Sequence, residues 1–121
     1  MLAHGAVLRK NFFTAEQLMA IVKDFHNASL PLEEVAIMAF TQKVITHAHQ
    51  INEKDHAVLR AFGLSDEEIL DIIITASARS FFSKTLDAIG AEPDEVYLEL
   101  EPELRQHLTL GRSFPKDSPS T

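Results

Sequence analysis

The stretch from Asp66 to Ile89 constrains this chain more than any other. Ser65 and Glu68 have the spacing of a capping box at its start, and Gly90 stands just behind its end. The run Ile72-Ile73-Ile74 would suit a strand, but the length, the caps and the alanine-rich continuation favour a helix. Glu68, Asp71, Thr75, Arg79, Ser83 and Asp87 recur every three or four residues as one polar stripe. Almost everything else from Ile69 to Phe82 is apolar or small. So wide an apolar surface needs neighbours on more than one side, and the other, shorter helices of one protomer are too few to supply them. Self-association into a homo-oligomer is therefore expected.

The remaining punctuation is also helical. Leu2, Ala3, Ala6, Val7 and Leu8 read as an apolar helix face ending near Lys10-Asn11, with no capping residue before it, so residues 1–11 look like the remainder of a longer helix. Thr14 is an N-cap with Gln17 at the capping-box position, and Leu18, Ile21, Val22 and Phe25 follow at helical spacing. Pro31 suits a first turn, and Glu33 and Glu34 sit near the positive end of the helix dipole. Val35, Ile37, Met38, Phe40, Val44 and Ile45 carry that helix to about His47. Asn52 caps a short helix that stops at Gly63, a natural left-handed position. After Gly90, Pro93 and Pro102 punctuate an acidic stretch in which short helices are expected over 94–100 and 103–108. The expected organisation is one helical domain over 1–111 and a flexible tail over 112–121, where Pro115 and Pro119 stand among serines and a threonine.

Composition removes several function classes. With 121 residues, 45% of them hydrophobic and 24% charged, the chain is an ordinary globular sequence with enough length for a core. Its net charge of -7 and scattered Lys and Arg carry no nucleic-acid footprint. No apolar run approaches membrane-spanning length and no signal segment opens the chain, so no membrane partner is expected and the cytoplasm is the default location. The chain contains no cysteine, which excludes disulfides, zinc-thiolate sites and thiol nucleophiles within it.

Two stretches resemble a known family. His4-Gly5-Ala6-Val7-Leu8-Arg9 looks like the segment after the redox cysteines in peroxidase-related members of the alkylhydroperoxidase D-like, or carboxymuconolactone decarboxylase, family. Leu59-Arg60-Ala61-Phe62-Gly63-Leu64-Ser65-Asp66-Glu67-Glu68-Ile69 is similar to that family's helix junction, and the segments Ser80–Lys84 and Leu86–Gly90 resemble the end of its long helix. The resemblance runs in order over residues 2–96. It implies an all-α, multi-helix and often oligomeric bundle, related to peroxide-reducing antioxidant enzymes. It also implies a Cys-x-x-Cys pair with a histidine four residues after the second cysteine, where a lowered thiol pKa supports attack on a peroxide. Only His4 matches that motif; the second cysteine would fall just before Met1, so the chain reads as truncated or as having shed its catalytic half. Residues 30–90 also read as a degenerate copy of one family unit, whose cysteine pair would fall near Ala48 and Ile51.

The candidate site residues follow. His4 is the catalytic candidate by the family motif, against the plainer reading of a helix histidine whose thiol partner is missing. Arg79 and Lys84 are binding candidates for an anionic substrate, against a solvated stripe on which Lys84 pairs with Asp87. His47, His49 and His56 with Glu53 and Asp55 hold one Glu-x-x-His step, where a di-iron bundle needs two, so they read as a solvated helix end and no metal or cofactor is expected. Phe12, Phe13, Phe40, Phe81 and Phe82 read as core or interface. Ser80 and Ser83 lack a nucleophile-elbow pattern. The expected function is thus that of a cysteine-less member of this family, silent in thiol redox chemistry. The alternative is a non-enzymatic helical module for self-assembly or for binding a ligand or partner.

Overall fold

A computed structural model describes residues 1–114, and among them it contains six α-helices and no strand. They are α1 (Leu2–Asn11), α2 (Ala15–Asp24), α3 (Leu32–His47), α4 (Glu53–Ala61), α5 (Asp66–Ala88) and α6 (Pro102–Leu108). Short 3₁₀ turns cover Phe25–Asn27, Ala48–Gln50 and Glu95–Glu99. The all-α reading holds, and no helix among the described residues is long and apolar enough to cross a membrane.

The caps expected from sequence form with their side chains in place. The Thr14 hydroxyl oxygen accepts the Gln17 N–H at 3.2 Å, and Gln17 Oε1 accepts the Thr14 N–H at 2.9 Å. Ser65 and Glu68 make the same reciprocal pair at 3.2 and 2.7 Å. Each box satisfies two donors that a helix start leaves orphaned. Asn52 caps α4 through the Lys54 N–H, and Asp55 returns the bond to the Asn52 N–H at 2.9 Å. At the far end of α4, Gly63 takes φ +95°, so its N–H reaches the Arg60 carbonyl and the Leu64 N–H reaches Leu59. Those two bonds make a Schellman stop, which a residue with a Cβ closes only under strain. One expectation shifts in kind: residues 95–99 form a 3₁₀ turn where a short helix was expected.

The chain divides into two compact units. Unit 1 joins Met1–Ala28 to the segment from Leu86 onward, and unit 2 is Ser29–Thr85. Unit 1 is built on buried Leu2, Leu18, Leu104, Leu108 and Phe114, with Phe13, Met19, Val22, Tyr97 and Leu100 packed around them. Its core therefore draws on α1, α2, α6 and the residues that follow α6. Gly5 lets α1 approach α6, because a Cβ there would lie 2.5 Å from Leu108 Cδ1. Unit 2 is built on Phe40 and Val44 from α3, Leu59 from α4, and Ile69 and Ala76 from α5. Ile72 and Ile73 join them, so α5 contributes one i, i+3, i+4, i+7 stripe to that core.

The boundary expected at residue 112 is corrected. Phe114 is 4% exposed within the unit 1 core, and Arg112 bonds Asp87, so residues 112–114 are part of the packed structure. The sequence pattern hid this because one phenylalanine among serines and prolines carries no periodicity. Residues 115–121, the rest of the expected tail, lie outside the described residues.

Candidate functional site

Helix α5 presents three stripes roughly a third of a turn apart, as successive residues of an α-helix advance by about 100°. The first faces the unit 2 core through Ile69, Ile72, Ile73 and Ala76. The second is the polar stripe from Glu68 to Asp87 anticipated from sequence. The third is apolar and uncovered: Leu70 is 53% exposed, Ile74 55% and Phe81 72%. Ser77 completes this row, and Glu67 and Lys84, both exposed, stand at its two ends. Exposed apolar side chains scattered singly are ordinary, whereas several aligned on one helix face mark a contact surface. Sequence reasoning recognised that the apolar surface was too wide, and the structure shows which part of it is left over.

Beside this row, Arg79 lies with its guanidinium 5.6 Å from the centre of the Phe82 ring, and Phe82 is itself half-exposed. This contact occupies the face of the ring with a cation. Arg79 and Lys84 are thus both on solvent-facing parts of α5. The surface pair expected between Lys84 and Asp87 is replaced. Arg112 donates its backbone N–H to Asp87 Oδ1 at 3.5 Å and its guanidinium to the Asp87 carbonyl at 3.2 Å. The residues after α6 thereby reach Asp87, a long-range contact that the local i, i+3 spacing could not reveal.

His4 lies on α1 and is exposed. In a chain without cysteine it has no thiol to deprotonate. Two residues beyond Val7, Arg9 binds Glu101 through Nε at 2.8 Å and a terminal nitrogen at 2.6 Å, tying α1 to the residue before α6. The same guanidinium holds the Glu101 carboxyl below the usual carboxylate range.

The histidine-rich segment is organised by ion pairs. Lys43 on α3 binds both oxygens of Asp55 at 2.7 and 2.8 Å, and Arg60 binds Glu53 and, at 2.7 Å, Asp66. The two carboxylates nearest the histidines are thus already held by cations. His56 packs its ring on Phe40 at 5.7 Å, while His47 bonds the Thr46 hydroxyl. No group of three or more His, Asp and Glu converges on a common point among the described residues. The bond from Lys43, reinforced by the Asn52 N–H, lowers the Asp55 pKa below its ordinary value. A carboxylate depressed in this way contributes stability that is present above its unfolded pKa and lost as pH falls through its folded one. Acid unfolding followed by circular dichroism should therefore be less steep for Asp55→Asn than for the unmodified chain below about pH 4. Superimposable acid curves would refute the assignment.

Unit 1 carries a half-open groove of about 430 Å³ lined by Pro102, Arg105, Gln106, Thr109 and Ser113. Two of its polar side chains bond within the fold. Arg105 donates to the Leu98 carbonyl at 2.9 Å and lies 5.9 Å from the Phe114 ring, and the Thr109 hydroxyl donates to the Arg105 carbonyl. The groove has one cation, one amide and two hydroxyls in its wall. Sequence reasoning passed over it, since none of its residues forms a motif.

What the fold and this face define is a class only: an all-helical chain of two compact units with one helix exposing a long apolar row. Compared with known proteins, the chain matches no family model, no curated protein and no solved structure.

Proposed function

We propose that this protein is a helical self-association module whose working surface is the uncovered face of α5. One observation carries the reading: Leu70, Ile74 and Phe81 align along one side of a helix whose core face is already filled. Leaving such a row in water forfeits about 25 cal/mol for each Å² of apolar surface that a partner would cover. A second copy is the simplest partner, because it brings an identical row at no cost in new sequence. Sedimentation velocity across the micromolar range is expected to show a concentration-dependent dimer, and Phe81→Glu is expected to sediment as a monomer of unchanged helicity. An unmodified chain that remains monomeric throughout that range would overturn the reading.

A second reading, a cysteine-less relative of the alkylhydroperoxidase-like family, is supported by the order of elements in unit 2. There a helix, a short helix, a glycine stop and a long helix follow one another, as in the unit whose degenerate copy residues 30–90 resemble. On either reading the chain should consume no peroxide with a dithiol donor in the same preparations. Turnover dependent on His4 would instead restore the catalytic assignment.

A further inference from the structure

Resting on the self-association reading, the spacing along α5 goes further and specifies how the copies meet. Glu67, Leu70, Ile74, Ser77, Phe81 and Lys84 alternate steps of three and four residues, the a/d spacing of a helix–helix seam. All six are exposed, and all lie within unit 2. Between its ends the seam carries three apolar residues and the small Ser77, and it is negative at its N-terminal end and positive at its C-terminal end.

We propose that two copies of this chain pair through α5 in antiparallel orientation, with Glu67 of each opposite Lys84 of the other. A two-fold axis midway between Thr75 and Ala76 pairs every a position with a d position of the second copy, as antiparallel seams require. Leu70 then meets Phe81, Ile74 meets Ser77, and each end closes on a Glu67–Lys84 pair. The bulky Phe81 lies against the more slender Leu70, and the small Ser77 admits Ile74, so large and small side chains interdigitate.

The alternatives are worse on the same residues. A parallel pair sets Glu67 against Glu67 and Lys84 against Lys84, which places like charges face to face. Sliding the antiparallel pair by one heptad in one direction sets Ile74 against Lys84. Sliding it in the other direction sets Glu67 against Ser77 and carries Phe81 past the start of the opposing helix at Asp66. The acidic residues Glu68 and Asp71 lie on the polar stripe, and Asp66 comes opposite Thr85, so no carboxylate pair forms across the seam.

The test is charge reversal in the full chain. Glu67→Lys and Lys84→Glu should each weaken dimerisation about tenfold, because each creates two like-charge contacts related by the two-fold axis. The double variant E67K/K84E should return to within about threefold of the unmodified affinity, since it restores opposite charges in the same register. A dimer whose affinity ignores both single reversals would overturn this register while leaving self-association intact, whereas an unmodified chain that never dimerises removes both.

Cross-linking gives an independent measure, because the chain has no cysteine of its own. Under mild oxidant, a mixture of Glu67→Cys and Lys84→Cys chains should form a mixed disulfide dimer. Neither alone should cross-link, since like positions lie about 25 Å apart along the antiparallel seam at 1.5 Å per residue. Efficient cross-linking of either variant with itself would show a parallel pair and refute the proposal.

Discussion

Leu104→Ala is expected to destabilise the folded chain by about 2–5 kcal/mol, among the largest effects any single side chain here can produce. Leu104 is 1% exposed, and its neighbours in the cluster are Leu2, Leu18, Leu108 and Phe114. Those residues come from α1, α2, α6 and the segment behind α6, so the leucine is held on several sides by separate pieces of chain. Truncation removes the transfer free energy of the lost methyl and methylene groups and leaves a hole whose walls belong to helices that cannot all close on it. The upper half of that range applies if the walls stay in place. Leu110→Ala is the internal control, since Leu110 is 64% exposed and its loss should shift stability by no more than about 0.5 kcal/mol. Urea unfolding followed by helical circular dichroism measures both. A shift under about 1 kcal/mol for Leu104→Ala would show that this cluster is not the core of unit 1.

Which features were legible in advance depended on range. The boxes at Thr14/Gln17 and Ser65/Glu68 and the stop at Gly63 are local devices, each satisfied by atoms within five residues, and they form where their spacing placed them. Helix boundaries followed from them: α5 was expected over 66–89 and runs Asp66–Ala88. What escaped was set by contacts between distant parts of the chain. Phe114 is buried because residues from both ends of the chain assemble around it, and nothing beside it in sequence announces that. Asp87 was assigned to Lys84 because an i, i+3 step is the nearest cation; Arg112, 25 residues away, holds it instead.

The candidate site was half legible for the same reason. Periodicity identified α5 as carrying more apolar surface than one face can bury. Only the fold shows that Ile69, Ile72, Ile73 and Ala76 are the face that packs, leaving Leu70, Ile74 and Phe81 uncovered. The polar stripe survives as a third face, so the helix is not amphipathic in the two-sided sense: it has one interior face, one polar face and one apolar face left exposed. Chemistry-bearing residues point the same way. The chain has no cysteine thiol for His4 to activate, Glu53 and Asp55 are held by Arg60 and Lys43, and Arg105 is spent on the Leu98 carbonyl and the Phe114 ring. These charged side chains tie elements of the fold together.

Gly5→Val is expected to cost about 3 kcal/mol, the upper part of the range for overpacking a filled site. Gly5 is buried in α1, and even an alanine Cβ there would lie 2.5 and 2.9 Å from the two terminal carbons of Leu108 and 3.2 Å from its branch carbon. A clash with the end of a flexible side chain is relieved cheaply when that side chain can swing into open space. Leu108 is 2% exposed within the unit 1 core, so it has little open space to swing into, and relief requires its neighbours to shift or α1 to move away from α6. Two opposing terms then decide the sign for Gly5→Ala: relief from a helix-interior glycine gains about 1 kcal/mol, while the clash costs about 1–3 kcal/mol. The smaller variant should accordingly lose about 1 kcal/mol, the balance of those two terms. Valine adds two γ-carbons to the same contact and, being β-branched, gains less in helix propensity, so its clash is nearly uncompensated. Cutting Leu108 back should relieve the crowding. In a double-mutant cycle, Gly5→Val combined with Leu108→Ala should be more stable than the sum of the two single losses predicts, by at least about 1 kcal/mol. Strict additivity would mean that α1 and α6 do not meet at this pair, and stabilisation by Gly5→Ala would mean that the contact is far looser than 2.5 Å implies.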